Sequence, residues 1–303
     1  MFPTVLRAVS RRPGRRGRRI LAALAALLGL ATAAALLQTA GPTPSAASGG
    51  SLTVATWNMC GVRQWGCAGT GSRQAKKAQV ELLVRAGGAQ VVFLQEACAA
   101  DVEAVRAELG DRWHTAFHSY AWGDRSGRVS TVRCAEPDQG AAGLAILSAF
   151  PLSAVGTVPA QQPSVGLRRG ILCASLTARA VRLCTAHLSP AGSDRAHPRW
   201  ELRDDQLKAL VTAVPQRRTV YGGDLNVRPP GSGNPSTWVW PPGPYTVHRE
   251  CDQASPTARS GRATHRSGHK LDYLFTGFPR TRCQVYDTSA SDHSALLVEV
   301  RTA

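Results

Sequence analysis

Five segments of the 303-residue chain set metal-capable or titratable side chains just past apolar runs: Asn58, Gln95-Glu96, His187, Asp224 with Asn226, and Asp292-His293. Taken singly, each has an ordinary reading, since an Asn after a strand or a Gly-Asp-Leu-Asn stretch is commonly a turn. Together they put three carboxylates, two asparagines and two histidines at successive strand ends, where rigid scaffolds present functional groups. Oxygen donors without cysteine favour a hard cation, Mg²⁺ or Mn²⁺, with Ca²⁺ as the alternative. Imidazoles beside carboxylates add groups able to move protons near neutral pH.

The elements that must position these residues follow from the apolar pattern. Residues 52–57 alternate as a strand, a helix begins at about Ser72 as its cap, and 91–94 reads as a strand buried on both faces. A helix over 101–109 precedes strands near 114–118, 129–134, 142–147, 152–158, 170–177 and 180–187. A helix over 198–214 leads to strands at 219–221, 271–275 and 295–300, with long Pro-, Gly-, Ser- and Arg-rich loops between 228 and 268. Strands alternating with helices and strand runs resembling a meander predict one α/β domain of two packed sheets with helices outside.

The N-terminus is of another kind. Seven arginines between Arg7 and Arg19 precede an apolar run over 20–37, and Gly41-Pro42-Thr43-Pro44-Ser45 ends any helix. That order reads as a signal peptide over 1–47, with cleavage near Ala46 or Ala47, a linker at 48–51 and the domain over 52–303. The alternative is a membrane anchor with the domain outside, because 18 apolar residues lie at the lower limit for a span. The expected location is extracellular. Removing 1–47 leaves 29 Lys and Arg against 20 Asp and Glu, a net charge of about +9 that attracts polyanions but is silent on fold.

All eight cysteines fall in the exported part and none forms a C-x-x-C pair, so disulfides are expected rather than structural zinc. Counting outward from a turn near Ala178-Arg179 sets Cys173 opposite Cys184 on a hairpin. Cys60 with Cys67 closes a short loop, which leaves Cys98, Cys134, Cys251 and Cys283 with three connectivities. The one adopted joins Cys98 to Cys134 and Cys251 to Cys283.

Seven segments occur in the order of the endonuclease/exonuclease/phosphatase superfamily: Thr56-Trp57-Asn58, Leu94-Gln95-Glu96, 143–148, Thr185-Ala186-His187-Leu188, Gly223-Asp224-Leu225-Asn226, Leu271-Asp272-Tyr273 and Ser291-Asp292-His293. The chain resembles the deoxyribonuclease-I-like fold over about 52–300. The resemblance implies a four-layer α/β sandwich of two packed mixed sheets flanked by helices, with the site at one end of the sheets. It also implies that Glu96 is the main metal ligand, with Asn58 beside it and Asp292 completing the ion's surroundings. Asp224 and Asn226 resemble the pair that positions the attacking water and a phosphate oxygen. His293 resembles the catalytic histidine, oriented by Asp272, and His187 the second histidine of the deoxyribonuclease and sphingomyelinase branches. Such enzymes pair that second histidine with a glutamate, and here only Glu103, Glu108 and Glu136 lie in the interval, none in a recognisable motif. Arg169, in Leu167-Arg168-Arg169-Gly170, is a candidate phosphate clamp, because a guanidinium binds phosphate bidentately. An ordinary exposed arginine is the alternative.

Export, basic charge and two histidines favour a metal-dependent nuclease acting on DNA or RNA. A phospholipase C or sphingomyelinase acting on lipid head groups shares export and both histidines. The aromatic stretch 236–245 fits stacking on bases, entry into a membrane interface, or plain packing. An inositol-phosphate or nucleotide phosphatase is a third reading, and a binding member without catalysis a fourth. No pattern calls for a protein partner, and a monomer is expected.

Overall fold

The computed structural model describes residues 50–302 apart from Ala68 and Ser232, so the signal or anchor expected over 1–47 lies outside the described residues. Fifteen strands and three α-helices are present among them. One six-stranded sheet runs β14 (Arg280–Tyr286), β15 (Ala295–Arg301), β1 (Ser51–Asn58), β2 (Val91–Cys98), β6 (Ala142–Ser148), β3 (His114–Ser119). The other runs β12 (Arg249–Glu250), β13 (Asp272–Thr276), β11 (Thr219–Asp224), β10 (Val181–His187), β9 (Gly170–Leu176), β7 (Ser153–Thr157). A small third sheet, β5 (Val129–Thr131), β4 (Ala121–Gly123) and β8 (Gly166–Arg168), delivers the chain to Arg169.

Three apolar clusters glue four layers together. Leu52, Val54, Phe93, Ile146, Leu172, Leu183 and Leu274 meet between the two large sheets. Helices α1 (Arg73–Arg85) and α2 (Ala99–Leu109) cover the outer face of the first sheet through Val80, Leu83, Val102 and Val105. Helix α3 (Arg203–Thr212) covers the second through Leu207 and Leu210. The four-layer sandwich of two mixed sheets flanked by helices is thus the architecture. Ser72 caps α1 by accepting the Ala75 N–H at 3.1 Å, as its sequence position predicted.

Register sets the site. The central pairs β1–β2 and β10–β11 are parallel, which puts Asn58 beside Gln95 and His187 beside Asp224. Antiparallel neighbours extend the second row, so Gly170, His187, Asp224 and Asp272 lie side by side across four strands. Gly223 makes that row fit, because at φ +120° a Cβ would collide with the Ala186 carbonyl of β10.

Short strands β4, β8 and β12 are not expected from the sequence, and two further differences from the sequence reading have a clear physical cause. The helix expected over 198–214 spans only Arg203–Thr212. Its leading residues belong instead to a loop in which Asp194 accepts the N–H groups of Ala196 and His197, and Trp200 stacks on His197 at 3.7 Å. Glu201 then accepts the N–H groups of Leu202 and Arg203, fixing the start of the helix. Strand β14 carried no apolar signal because it is a half-exposed edge, in which Arg280, Thr281 and Arg282 precede Cys283.

Four disulfides join Cys60–Cys67, Cys98–Cys134, Cys173–Cys184 and Cys251–Cys283. Cys173 and Cys184 are direct cross-strand neighbours on β9 and β10. No helix among the described residues is long and apolar enough to cross a membrane.

Candidate active site

The strand ends converge on one carboxylate oxygen. Oδ2 of Asp224 accepts the Asn58 side-chain N–H at 3.1 Å and lies 3.4 Å from Nε2 of His187 and 3.9 Å from Nε2 of His293. These contacts bridge the two sheets, since Asn58 ends β1 while His187 and Asp224 end β10 and β11. Oδ1 of Asp224 accepts the backbone N–H of Asn226 at 3.0 Å. Asn226 stands at φ +50°, and its side-chain amide donates to the Leu188 carbonyl at 2.9 Å. It therefore ties the Asp224 loop to the end of β10, with its amide hydrogen bond turned to backbone.

The first sheet contributes Glu96. A bulge between Leu94 and Ala97 and a φ of +50° at Glu96 break the alternation of β2. Gln95 consequently stays buried and bonds Thr56 and Thr185 across the sheets, at 3.1 and 2.9 Å. Glu96 stays half-buried, with Oε2 3.4 Å from Sγ of Cys67. The disulfide of Cys60 and Cys67 removes both thiolates, so that grouping is no sulfur site for a metal.

His293 is held on both sides. Its Nδ1 lies 2.8 Å from Oδ2 of the fully buried Asp272, its N–H donates to Ser291 Oγ, and its carbonyl accepts the Trp57 indole N–H at 3.1 Å. Ser291 in turn donates to the Asn58 carbonyl at 2.8 Å. Asp292, expected beside Glu96, has Oδ2 3.4 Å from His265 Nε2 and 3.6 Å from Arg266 Nη2. Donor atoms within 4.8 Å of one another form two overlapping sets, Asp224/Asp272/His293 and His265/Asp292/His293. Among the described residues Glu96 and Asp292 fall in separate sets.

Two residues of this site carried no sequence signal. Lys76, from α1, is buried and its ammonium donates to the Met59, Thr70 and Ala290 carbonyls at 2.9, 3.0 and 2.6 Å. It staples the loop after Asn58 to the loop before Asp292. Tyr120 is the other. Its hydroxyl lies 2.8 Å from Nδ1 of His187 and accepts the backbone N–H of Glu96 at 3.1 Å. The carboxylate sought for His187 is therefore a phenol. Of the three glutamates in the interval, Glu108 faces Lys77 at 3.9 Å, Glu136 faces Arg63 at 3.4 Å, and Glu103 bonds Arg106 within its own helix. A hydroxyl two residues past the strand expected at 114–118 would have been the clue, but only the third dimension brings it to His187.

Arg169 lies between β8 and β9, half-buried rather than an ordinary exposed arginine, and its Nε–H donates to Nε2 of His187 at 3.1 Å. That donor assigns the tautomer: Nε2 accepts, so the ring proton is on Nδ1 and goes to the Tyr120 oxygen. The Nη groups of Arg169 meet no acceptor among the described residues.

Electrostatics divides the site. Burial raises the Glu96 carboxyl to about 7, with Arg169 opposing and Asp224 adding. Burial likewise carries Asp224 to about 6, against His293 and with Asp272. Burial would lower His293, but the charge and hydrogen bond of Asp272, backed by Asp224 and Asp292, carry its imidazole up to about 10. Burial drops His187 well below its ordinary value, and Arg169 and His293 push the same way. At neutral pH His293 is charged and His187 neutral, the separation expected of groups with different proton tasks.

The family model of the endonuclease/exonuclease/phosphatase family matches residues 55–293. The chain belongs to this family, whose members typically hydrolyse phosphoester bonds and generally use divalent metal ions. Solved structures agree in fold. An endonuclease/exonuclease/phosphatase from Beutenbergia cavernae is similar with TM-score 0.57 and 20% identity, over 83% of this chain and 72% of that one. A humanized TDP2 of D. rerio gives 0.56 and 16%, over 83% and 99%. A 3'-5' exonuclease from Neisseria meningitidis gives 0.53 and 14%, over 82% and 99%. No curated protein matches the chain in sequence.

Proposed function

We propose that the chain is an exported, divalent-metal-dependent phosphodiesterase that hydrolyses the backbone of DNA or RNA. The observation that carries this reading is the convergence of Asn58, His187 and His293 on Oδ2 of Asp224. Glu96, with Asn58, would hold Mg²⁺ or Mn²⁺, and Asp292, which stands in a separate group of donors with His265 and His293, would support the ion from that side. The donor set suits a hard cation, and burial pushes the Glu96 and Asp224 carboxyls up to about 7 and about 6, a cost that a bound cation would offset. When bound, the ion supplies Lewis acidity at a phosphate oxygen.

The residues divide the remaining work. Asp224 orients the attacking water, fixed in place by Asn58 and by the Asn226 N–H. His293, charged and locked by Asp272, presents Nε2–H to the negative charge that builds on the phosphate or leaving oxygen. His187, neutral and with its lone pair on Arg169, cannot give that proton and acts as a positioning residue. Arg169 clamps a non-bridging oxygen with its free Nη groups.

Nucleic acid is favoured over lipid by the charge of about +9 on the expected mature chain. The aromatic stretch supports the lipid reading less, because Trp240 and Tyr245 pack on Phe275 and only Trp238 is largely exposed. The disulfides suit an oxidising, extracellular compartment. The test is one panel: plasmid DNA, single-stranded DNA, RNA and sphingomyelin vesicles, each with Mg²⁺ and with EDTA. Metal-dependent cleavage of a nucleic acid is expected. Hydrolysis of sphingomyelin with every nucleic acid intact would overturn the substrate assignment.

A further inference from the structure

Beside the catalytic row lies a groove of about 460 Å³ that the chemistry so far does not use. It opens between the loops at 228–234, 259–261 and 268–270, and Arg228, Asn234, Arg259, His269 and Lys270 are among its lining residues. No carboxylate lines it among the described residues. Its rims are continuous with the site: Arg228 follows Asn226 by two residues, and Lys270 precedes Asp272 by two. The Tyr273 hydroxyl, between the carbonyls of Val227 and Lys270 at 2.6 and 3.0 Å, ties the two rims together.

The cationic walls differ in what they can offer. Lys270 is buried against Glu250 at 3.3 Å, so its charge is already matched. Arg259 is pre-set, since one Nη1 donates to the Pro256 and Ala258 carbonyls, both at 3.0 Å, and its guanidinium lies over the Tyr245 ring. Its Nε and Nη2 meet no acceptor among the described residues. Arg228 is half-buried and forms no ion pair there, while its own carbonyl is fixed by the side chains of Asn234 and Trp240 at 2.8 and 2.9 Å. Two guanidinium groups on braced loops, with open N–H donors and no acid among the lining residues, form a receptor for an anion with several oxygens.

We propose that this groove is a second phosphate subsite, holding a backbone phosphate of a polynucleotide strand away from the bond being cut. The inference rests on the nucleic-acid reading and deepens it: the substrate is a strand with consecutive phosphates, rather than a mononucleotide or a lipid head group with one.

The test compares Arg228→Gln, Arg259→Gln and the double variant on two substrates. One is a labelled oligonucleotide of about 12 residues, the other bis(4-nitrophenyl) phosphate, which has a single phosphate. In the double variant the loss of kcat/KM on the oligonucleotide should exceed any loss on the small diester by about tenfold or more, mainly through KM. Binding of the oligonucleotide, followed by fluorescence anisotropy in EDTA, should lose salt dependence. The log–log slope should shrink by about 1.4 for two contacts to a single strand. Equal losses on both substrates, or a wild-type slope in the double variant, would overturn the subsite and leave the nuclease reading standing. A wild-type protein that cuts the small diester but neither binds nor cuts the oligonucleotide would remove both. Retained turnover of the small diester shows that the variants are folded.

Discussion

Replacing Tyr120 by Phe isolates one oxygen atom. The ring is fully buried, sits edge-on to His187 with centroids 5.6 Å apart and lies 5.7 Å from Trp65, and Phe keeps those contacts. What disappears is the acceptor shared by the Glu96 N–H at 3.1 Å and the Nδ1–H of His187 at 2.8 Å. A buried donor left unsatisfied costs ~1–3 kcal/mol, so two cost ~2–4 kcal/mol once the better burial of Phe is credited. For a domain of this size that lowers the melting temperature by roughly 5–15 °C. Turnover should fall as well, by about 10–100-fold, the usual penalty for removing the partner that orients a functional histidine. The fall should be in kcat rather than KM, because Arg169 and Asn58 are untouched. Three measurements check this: a thermal melt, steady-state kinetics on bis(4-nitrophenyl) phosphate, and long-range ¹H–¹⁵N spectra of the histidines. The wild type should show His187 protonated on Nδ1, and the variant a mixture of tautomers. An Nε2-protonated His187 in the wild type, or wild-type melting and kcat in Tyr120→Phe, would refute the reasoning.

The pH profile of kcat/KM should rise through about 6 to 7, where Asp224 and Glu96 lose protons, and hold until about 10, where His293 loses its own. A profile that instead keeps rising until about pH 10 would make His293 the base. Carboxyls raised by burial stabilise the metal-free fold most below their unfolded values of ~4, and that stability is lost as pH rises through about 6 to 7. Mg²⁺ should therefore bind with proton release at pH 6.5 and raise the melting temperature more at pH 8 than at pH 5.5. Calorimetry showing the same binding enthalpy in buffers of different ionisation enthalpy would contradict this. Lys76→Met should strand the Met59, Thr70 and Ala290 carbonyls and cost at least ~3 kcal/mol, read by denaturant melts. A variant as stable as wild type would show that the two site loops need no staple.

Much of this protein is written locally. Apolar runs ending in Asn58, Gln95-Glu96, His187, Asp224 and Asp292-His293 identify both the strands and the candidate site, because a strand's period and its polar terminus are short-range features. The hairpin register also follows from local counting, and it sets Cys173 beside Cys184. Other features depend on contacts between distant segments. Tyr120 is separated from His187 by 67 residues, and Lys76 from Ala290 by 214. The resemblance implies a carboxylate beside His187, yet the fold supplies a phenol, because what reaches Nδ1 depends on how the Tyr120 segment between β3 and β4 meets the end of β10 and not on residue type. The bulge that turns Glu96 toward the site arises from pairing with β6, and the loop that displaces the start of α3 is held by Asp194. The two histidines diverge for the same reason: burial lowers both, but Asp272 lifts His293 while Arg169 pushes His187 further down. Residue type and spacing determine which groups are present and on which strands, while their protonation and partners depend on burial and neighbours that only the packed sheets create.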